Sequence, residues 1–185
     1  MVRKAATTDI SNTIQFVLEI DKLKGVLRKV RLIWEERYEN VAEHSWQIAL
    51  FAMSMARTLE LKVDVTRVVA MLLVHDLGEI DAGDRFVFAQ DGWEERKAAE
   101  LRALERICGL APKKTGDFLL GLWKEFDAGE SSESRFAKAI DRSMPVLLNL
   151  TNAGGVGWRT ASATRELSNG WGLKWRTVAP NCGTI

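Results

Sequence analysis

The chain is poor in cysteine. Cys108 and Cys182 are the only two among 185 residues, without metal-ligand spacing and too few for a disulfide framework. Such usage fits a reducing compartment. Charge of one sign is also lacking. Lys and Arg number 26 against 25 acidic residues, so no bulk field favours nucleic acid or a membrane surface. No apolar run reaches the ~18 residues of a membrane span. The opening residues 1–9 lack the apolar core of a secretory leader. These absences lead us to expect a cytoplasmic protein with neither membrane nor nucleic-acid polymer as partner. There is no internal repeat and no clear strand alternation. Histidine is scarce as well: His44 and His75 are the whole supply, and both stand beside acidic residues near helix ends.

What is present reads as one ordinary globular domain. The apolar fraction is 46% and the charged fraction 28%, and the length suffices for a sizeable core. Helical spacing dominates. Asp9 can cap a first helix over 9–27, in which Ile10, Ile14, Val17 and Leu18 recur at that spacing. A basic stretch from Arg28 to Arg31 and a charged connection follow. Asn40 with Glu43 forms a capping box for a helix to about Leu61. His44 falls on the apolar side of that helix, three residues after Val41 and four before Ile48. Asp64 caps a nearly all-apolar helix that should be central and buried. His75 and Asp76 extend its inward side, and Gly78 ends or kinks it. Residues 80–92 read as a loop. Further helices are expected over 93–108, from Pro112, and over 132–150, with another short one near 160–168. In the 132–150 helix Asp141 adjoins the inner face, and Pro145 removes the N–H that would bond its carbonyl. The expectation is all-α: a domain over 1–160 with its core at 14–152, and a Trp-bearing extension over 161–185 packed on it.

The inward polar residues are His44, His75, Asp76 and Asp141. Two imidazoles and two carboxylates from three helices suit one divalent metal ion with coordination positions left open. Bland readings stand beside this one. An inward His can be a hydrogen-bonded core residue. His75 and Asp76 can be an ion pair at a helix end, and Asp141 can pair with Arg135 or Arg142 on its own helix. Glu79 and Asp84 can be solvated loop charges, and Arg28 a surface charge. Leaving four such groups buried and unsatisfied would cost several kcal/mol.

The phrases Ile20-Asp-Lys-Leu-Lys24, Arg37-Tyr-Glu-Asn-Val-Ala-Glu-His44, His75-Asp-Leu-Gly-Glu-Ile-Asp-Ala-Gly-Asp84 and Arg135-Phe-Ala-Lys-Ala-Ile-Asp141 resemble the HD-domain metal-dependent phosphohydrolases. The similarity is to their 5′-deoxynucleotidase branch, which includes the eukaryotic HD-domain-containing relatives. It implies a single HD-domain helical bundle with His44, His75, Asp76 and Asp141 as ligands of one divalent ion (Mn, Co, Zn or Mg). It implies catalytic roles for Asp76 and Glu79, with Glu79 as general acid or base. It implies that Arg28 grips the substrate phosphate, with Arg31 or Arg37 able to share that role, and that Asp84 reads the sugar 3′-hydroxyl. The implied reaction is hydrolysis of (deoxy)nucleoside 5′-monophosphates by a metal-activated water in a homodimer. Lys29 stands where the bacterial enzymes carry an aromatic residue, so the choice of sugar is open. Hydrolysis of another phosphate ester, or a non-catalytic metal- or nucleotide-binding module, are the alternatives.

Overall fold

A computed structural model describes residues 2–83 and 93–154. Asp84, the helix expected near 160–168 and the tail tryptophans Trp158, Trp171 and Trp175 lie outside the described residues. The architecture is helical, as the periodicity implied. In chain order it comprises α1 (Val2–Ile20), a 3₁₀ turn (Asp21–Gly25), β1 (Leu27–Arg31), β2 (Tyr38–Asn40), α2 (Val41–Thr58), α3 (Val65–Val74), α4 (Glu79–Ala82), α5 (Trp93–Cys108), α6 (Lys113–Ala128) and α7 (Ser132–Gly154).

The first helix departs from the expectation. It ends at Ile20, and 27–31 is a strand. Its buried side is also a different one. Ile10, Ile14, Val17 and Leu18 are each more than half exposed, while Phe16 and Ile20 pack on the core. The strands were missed because two of their three inward residues are charged. β1 alternates in exposure so that Arg28 and Val30 turn inward, and Glu39 is the buried residue of β2. Apolar alternation, the usual signature of a half-buried strand, is therefore broken by an arginine and a glutamate. The two strands pair antiparallel, Leu27 with Asn40 and Arg31 with Tyr38, and the register slips between those pairs. Such a bulge re-aims side chains locally.

Asn40 then caps α2 as the sequence suggested. Its Oδ1 accepts from Glu43 N at 2.9 Å, and Glu43 Oε2 accepts from Asn40 N at 3.0 Å. Asp64 Oδ1 accepts from Arg67 N at 3.0 Å and starts α3. Helix α3 is the spine: Val68, Met71 and Leu72 are fully buried, and it packs against α2, α6 and α7. Two apolar clusters meet along it. One joins Ile48, Ala52, Val68, Leu72, Phe136 and Ile140; the other joins Val41, Val74, Leu77, Leu104 and Trp123.

Two elements end differently from the sequence reading. α3 stops at Val74 and not at Gly78, and a helical turn, Glu79–Ala82, occupies the start of the expected loop. Gly78 has ordinary helical torsions, so its role is close approach. A Cβ there would stand 3.1 Å from the Glu100 carbonyl oxygen of α5. Helix α7 runs through Pro145 to Gly154.

Gly116 makes a tighter approach. A Cβ would lie 2.3 Å from the Cys108 carbonyl oxygen, backbone against backbone, where α5 ends and α6 begins. Gly121, on the same helix, is exposed with nothing within 4 Å of a Cβ. Gly116→Ala is therefore expected to lower stability by about 1–3 kcal/mol through overpacking. Gly121→Ala should raise it by up to ~1 kcal/mol through helix propensity. Urea denaturation of both variants checks the contrast; equal effects would contradict it.

Candidate metal centre

Three helices deliver the cluster. His44 lies in the first turn of α2 and is completely buried, as its place between Val41 and Ile48 requires. His75 is the C-cap of α3 and also buried. Asp141 comes from α7. One atom from each of His44, His75 and Asp141 can be chosen so that all lie within 4.8 Å of one another. His44 Nε2 is 3.0 Å from Asp141 Oδ1, and His75 Nε2 is 3.6 Å from the same oxygen. Asp141 thus reaches across helices and does not pair with Arg135 or Arg142 on its own. Asp76 stands at the edge of the cluster, its Oδ2 3.0 Å from His75 Nε2.

The imidazole of His75 is aimed by local structure. Its Nδ1 lies 2.8 Å from the Leu72 carbonyl oxygen, which fixes the proton on Nδ1 and turns the Nε2 lone pair inward. The Phe126 ring packs edge-on at 5.2 Å between centroids. Trp123 Nε1–H donates to the His75 carbonyl oxygen at 3.1 Å and ties α6 to the end of α3. The periodicity of the helix from Pro112 places both aromatics on its apolar side but gives neither a role at the site. The available signal was that a buried indole needs an acceptor. Arg106 of α5 braces α4: its Nε and Nη2 both donate to Asp81 at 2.7 Å, and Nη2 donates to Glu19 at 2.8 Å. This brace holds the turn that carries Glu79, whose N–H donates to the Asp76 carbonyl oxygen at 3.0 Å.

The substrate residues inferred from sequence separate into two places. Arg28 reaches the cluster: Nη1 donates to Asp76 Oδ2 at 3.0 Å, and Nε is 3.3 Å from Glu39 Oε2. Arg37 does not join it. Its guanidinium is exposed and grips Glu43 at 2.7 and 2.9 Å and Glu35 at 2.7 Å, which braces the α2 cap. Glu39, part of the Arg37–His44 phrase but without a role in the sequence reading, is buried beside His44, its Oε2 3.5 Å from Nδ1.

The donor set fits a divalent cation. His75 Nε2 is buried without a hydrogen-bond partner in linear geometry, although carboxylate oxygens face it from two sides. Two imidazole nitrogens and carboxylates around one point form a mixed N/O site. The electrostatics agree. Burial alone would push the His75 pKa down, but Asp76 and Asp141 raise it well above its usual 6.5. Burial would raise Asp141, yet hydrogen bonding to His44 and His75 holds it far below the usual carboxylate range. Asp76 is likewise lowered against its burial by the charge of His75.

The signs give a pH prediction. Without metal, the lowered Asp76 and Asp141 stabilise the fold above their unfolded value of 3.8 and lose that contribution as pH falls. The raised His75 stabilises below 6.5 and loses its contribution as pH rises through its folded pKa. Metal ligation needs the neutral imidazole, so protons compete with the ion. The rise in melting temperature caused by Mn²⁺ should therefore grow steadily from pH 6 to pH 8. A rise independent of pH would contradict proton competition at His75.

A family model for the HD domain matches residues 20–172. The chain is 29% identical over 148 residues to the 5′-deoxynucleotidase HDDC2 of Xenopus laevis, covering 77% of this chain and 72% of that one. It is 27% identical over 133 residues to the 5′-deoxynucleotidase YfbR of Shigella flexneri, covering 67% and 66%. Among solved structures, a predicted metal-dependent phosphohydrolase from Magnetospirillum magnetotacticum is 38% identical with a TM-score of 0.74, covering 86% of this chain and 82% of that one. The cluster of His44, His75 and Asp141 at the meeting of α2, α3 and α7, with Asp76 at its edge, thus lies within the matched span, and this chain belongs to the HD-domain family.

Proposed function

We propose that this chain is a metal-dependent phosphohydrolase that removes phosphate from (deoxy)nucleoside 5′-monophosphates. The observation that carries the reading is the convergence of His44, His75 and Asp141 on one buried point with Asp76 at its edge. The relatives named 5′-deoxynucleotidase and metal-dependent phosphohydrolase support the reaction class.

His44, His75, Asp76 and Asp141 would hold one divalent ion (Mn, Co, Zn or Mg). Such an ion supplies Lewis-acid charge and lowers the pKa of a water. The chain's own groups do the rest. Arg28 is mostly buried beside Asp76, where its planar guanidinium can take two oxygens of a phosphate and offset the charge of the ester. Glu79 is half-buried one turn after the doublet and is the group that moves a proton, at the attacking water or at the departing sugar oxygen. Asp84, as reader of the sugar 3′-hydroxyl, rests on its place in the sequence phrase.

Sugar selection is expected to be loose. Lys29 is exposed between the inward Arg28 and Val30, and Trp34 is 87% exposed, so neither crowds a 2′-hydroxyl. The reading includes a homodimer, supported by the exposed Ile10, Ile14, Val17 and Leu18 of α1, an apolar stripe that a second copy could cover. It includes a cytoplasmic setting, which goes with this substrate class. No helix of the described residues is long and apolar enough to cross a membrane. It also keeps residues 161–185 as an extension on the domain.

The test is phosphate release from the four deoxynucleoside and four nucleoside 5′-monophosphates with Mn²⁺, Co²⁺, Zn²⁺ or Mg²⁺. Release from both series is expected. Asp76→Ala should lower it by more than about 100-fold, because even outer partners of a bound metal typically carry 10- to 100-fold. Release from deoxynucleotides alone would overturn the loose-sugar statement. No release from either series would overturn the phosphatase.

A further inference from the structure

Glu39 is 1% exposed, and neither of its carboxylate oxygens makes a hydrogen bond among the described residues. A carboxylate in that position needs partners. Two donors face it at ion-pair range: Arg28 Nε at 3.3 Å and His44 Nδ1 at 3.5 Å. Those two nitrogens are themselves buried and without hydrogen bonds. The orphaned atoms are complementary, two N–H donors against one carboxylate. Both distances are already near hydrogen-bond reach, and a small reorientation of the carboxylate would align it with them.

The two donors serve different halves of the site. His44 presents Nε2 to Asp141 at 3.0 Å, and Arg28 presents Nη1 to Asp76 at 3.0 Å. Glu39 sits behind both. The hairpin makes this possible, because β1 and β2 turn Arg28 and Glu39 inward side by side, and Asn40 then caps the helix that carries His44.

We propose that Glu39 is a positioning residue that accepts from His44 Nδ1–H and from Arg28 Nε–H together. The first contact fixes the tautomer whose Nε2 lone pair faces the metal. The second fixes the phosphate-side guanidinium beside Asp76. His75 obtains the same orientation from the Leu72 carbonyl oxygen; His44 obtains it from a carboxylate. The inference rests on the metal-centre reading.

Titration calorimetry with Mn²⁺ tests it on the full chain, without substrate. Wild type should bind. Glu39→Gln should bind about 10- to 100-fold more weakly, with its metal-free melting transition retained, while Asp117→Asn on the exposed side of α6 should match wild type. A folded Glu39→Gln protein that binds within about twofold of wild type would overturn the proposal. A second measurement does not depend on the variant folding. Imidazole ¹⁵N spectra of Zn²⁺-loaded wild type, simple with two histidines, should show His44 protonated at Nδ1, and a proton on Nε2 would overturn it. Absence of any ion binding by wild type would overturn the metal reading and this inference with it.

Discussion

Everything else in the structure bears on the contact between the Asp141 carboxylate and two buried imidazoles. A carboxylate and two histidines cannot stand in an apolar junction unless each satisfies the others or a cation. Asp141 Oδ1 lies 3.0 Å from His44 Nε2 and 3.6 Å from His75 Nε2, and that geometry joins α7 to α2 and α3 at the point where the two apolar clusters meet. Helix α3 is the most apolar element because it must bring His75 to that point from the centre of the bundle. The surrounding contacts serve the same end. Leu72 aims the ring, Trp123 ties down the carbonyl of His75, and Gly78 lets α5 close over the turn that follows.

The hairpin adds a charged wall to a site otherwise built from helices. It places the Arg28 guanidinium next to the Asp76 carboxylate, so on the proposed metal reading a phosphate would meet positive charge from the ion and from Arg28 on adjoining sides. Bidentate recognition of this kind needs a guanidinium held rigidly. Arg28 is held on one side by Asp76, which accepts from Nη1 at 3.0 Å, and its Nε faces Glu39 at ion-pair range. The price of that arrangement is the burial of Glu39, which the hairpin tolerates because both of its neighbours carry N–H groups.

What the sequence disclosed follows from helical phase. His44 is three residues from Val41 and four from Ile48, so its burial is dictated by the 3.6-residue period, and Asp141 is adjacent to Ile140 on the face that packs. The caps at Asn40 and Asp64 were legible because their side chains bond to nearby backbone. The hairpin was not, since inward Arg28 and Glu39 erase the apolar alternation on which strand reading depends. The packed side of α1 was hidden for a similar reason: its most regular apolar stripe, Ile10, Ile14, Val17 and Leu18, faces outward. Glu39 and Trp123 carry no local signature, because their roles arise from partners distant along the chain or across a turn. Arg37 matched a family phrase in sequence but in space braces Glu43.

The most direct test of the central claim is electron spin-echo modulation of the protein loaded with one equivalent of Mn²⁺. The account predicts one bound ion per chain with modulation from two directly ligated imidazole nitrogens, reduced to one in His44→Gln. Binding without nitrogen modulation, or modulation unchanged by that substitution, would contradict a centre built from His44 and His75.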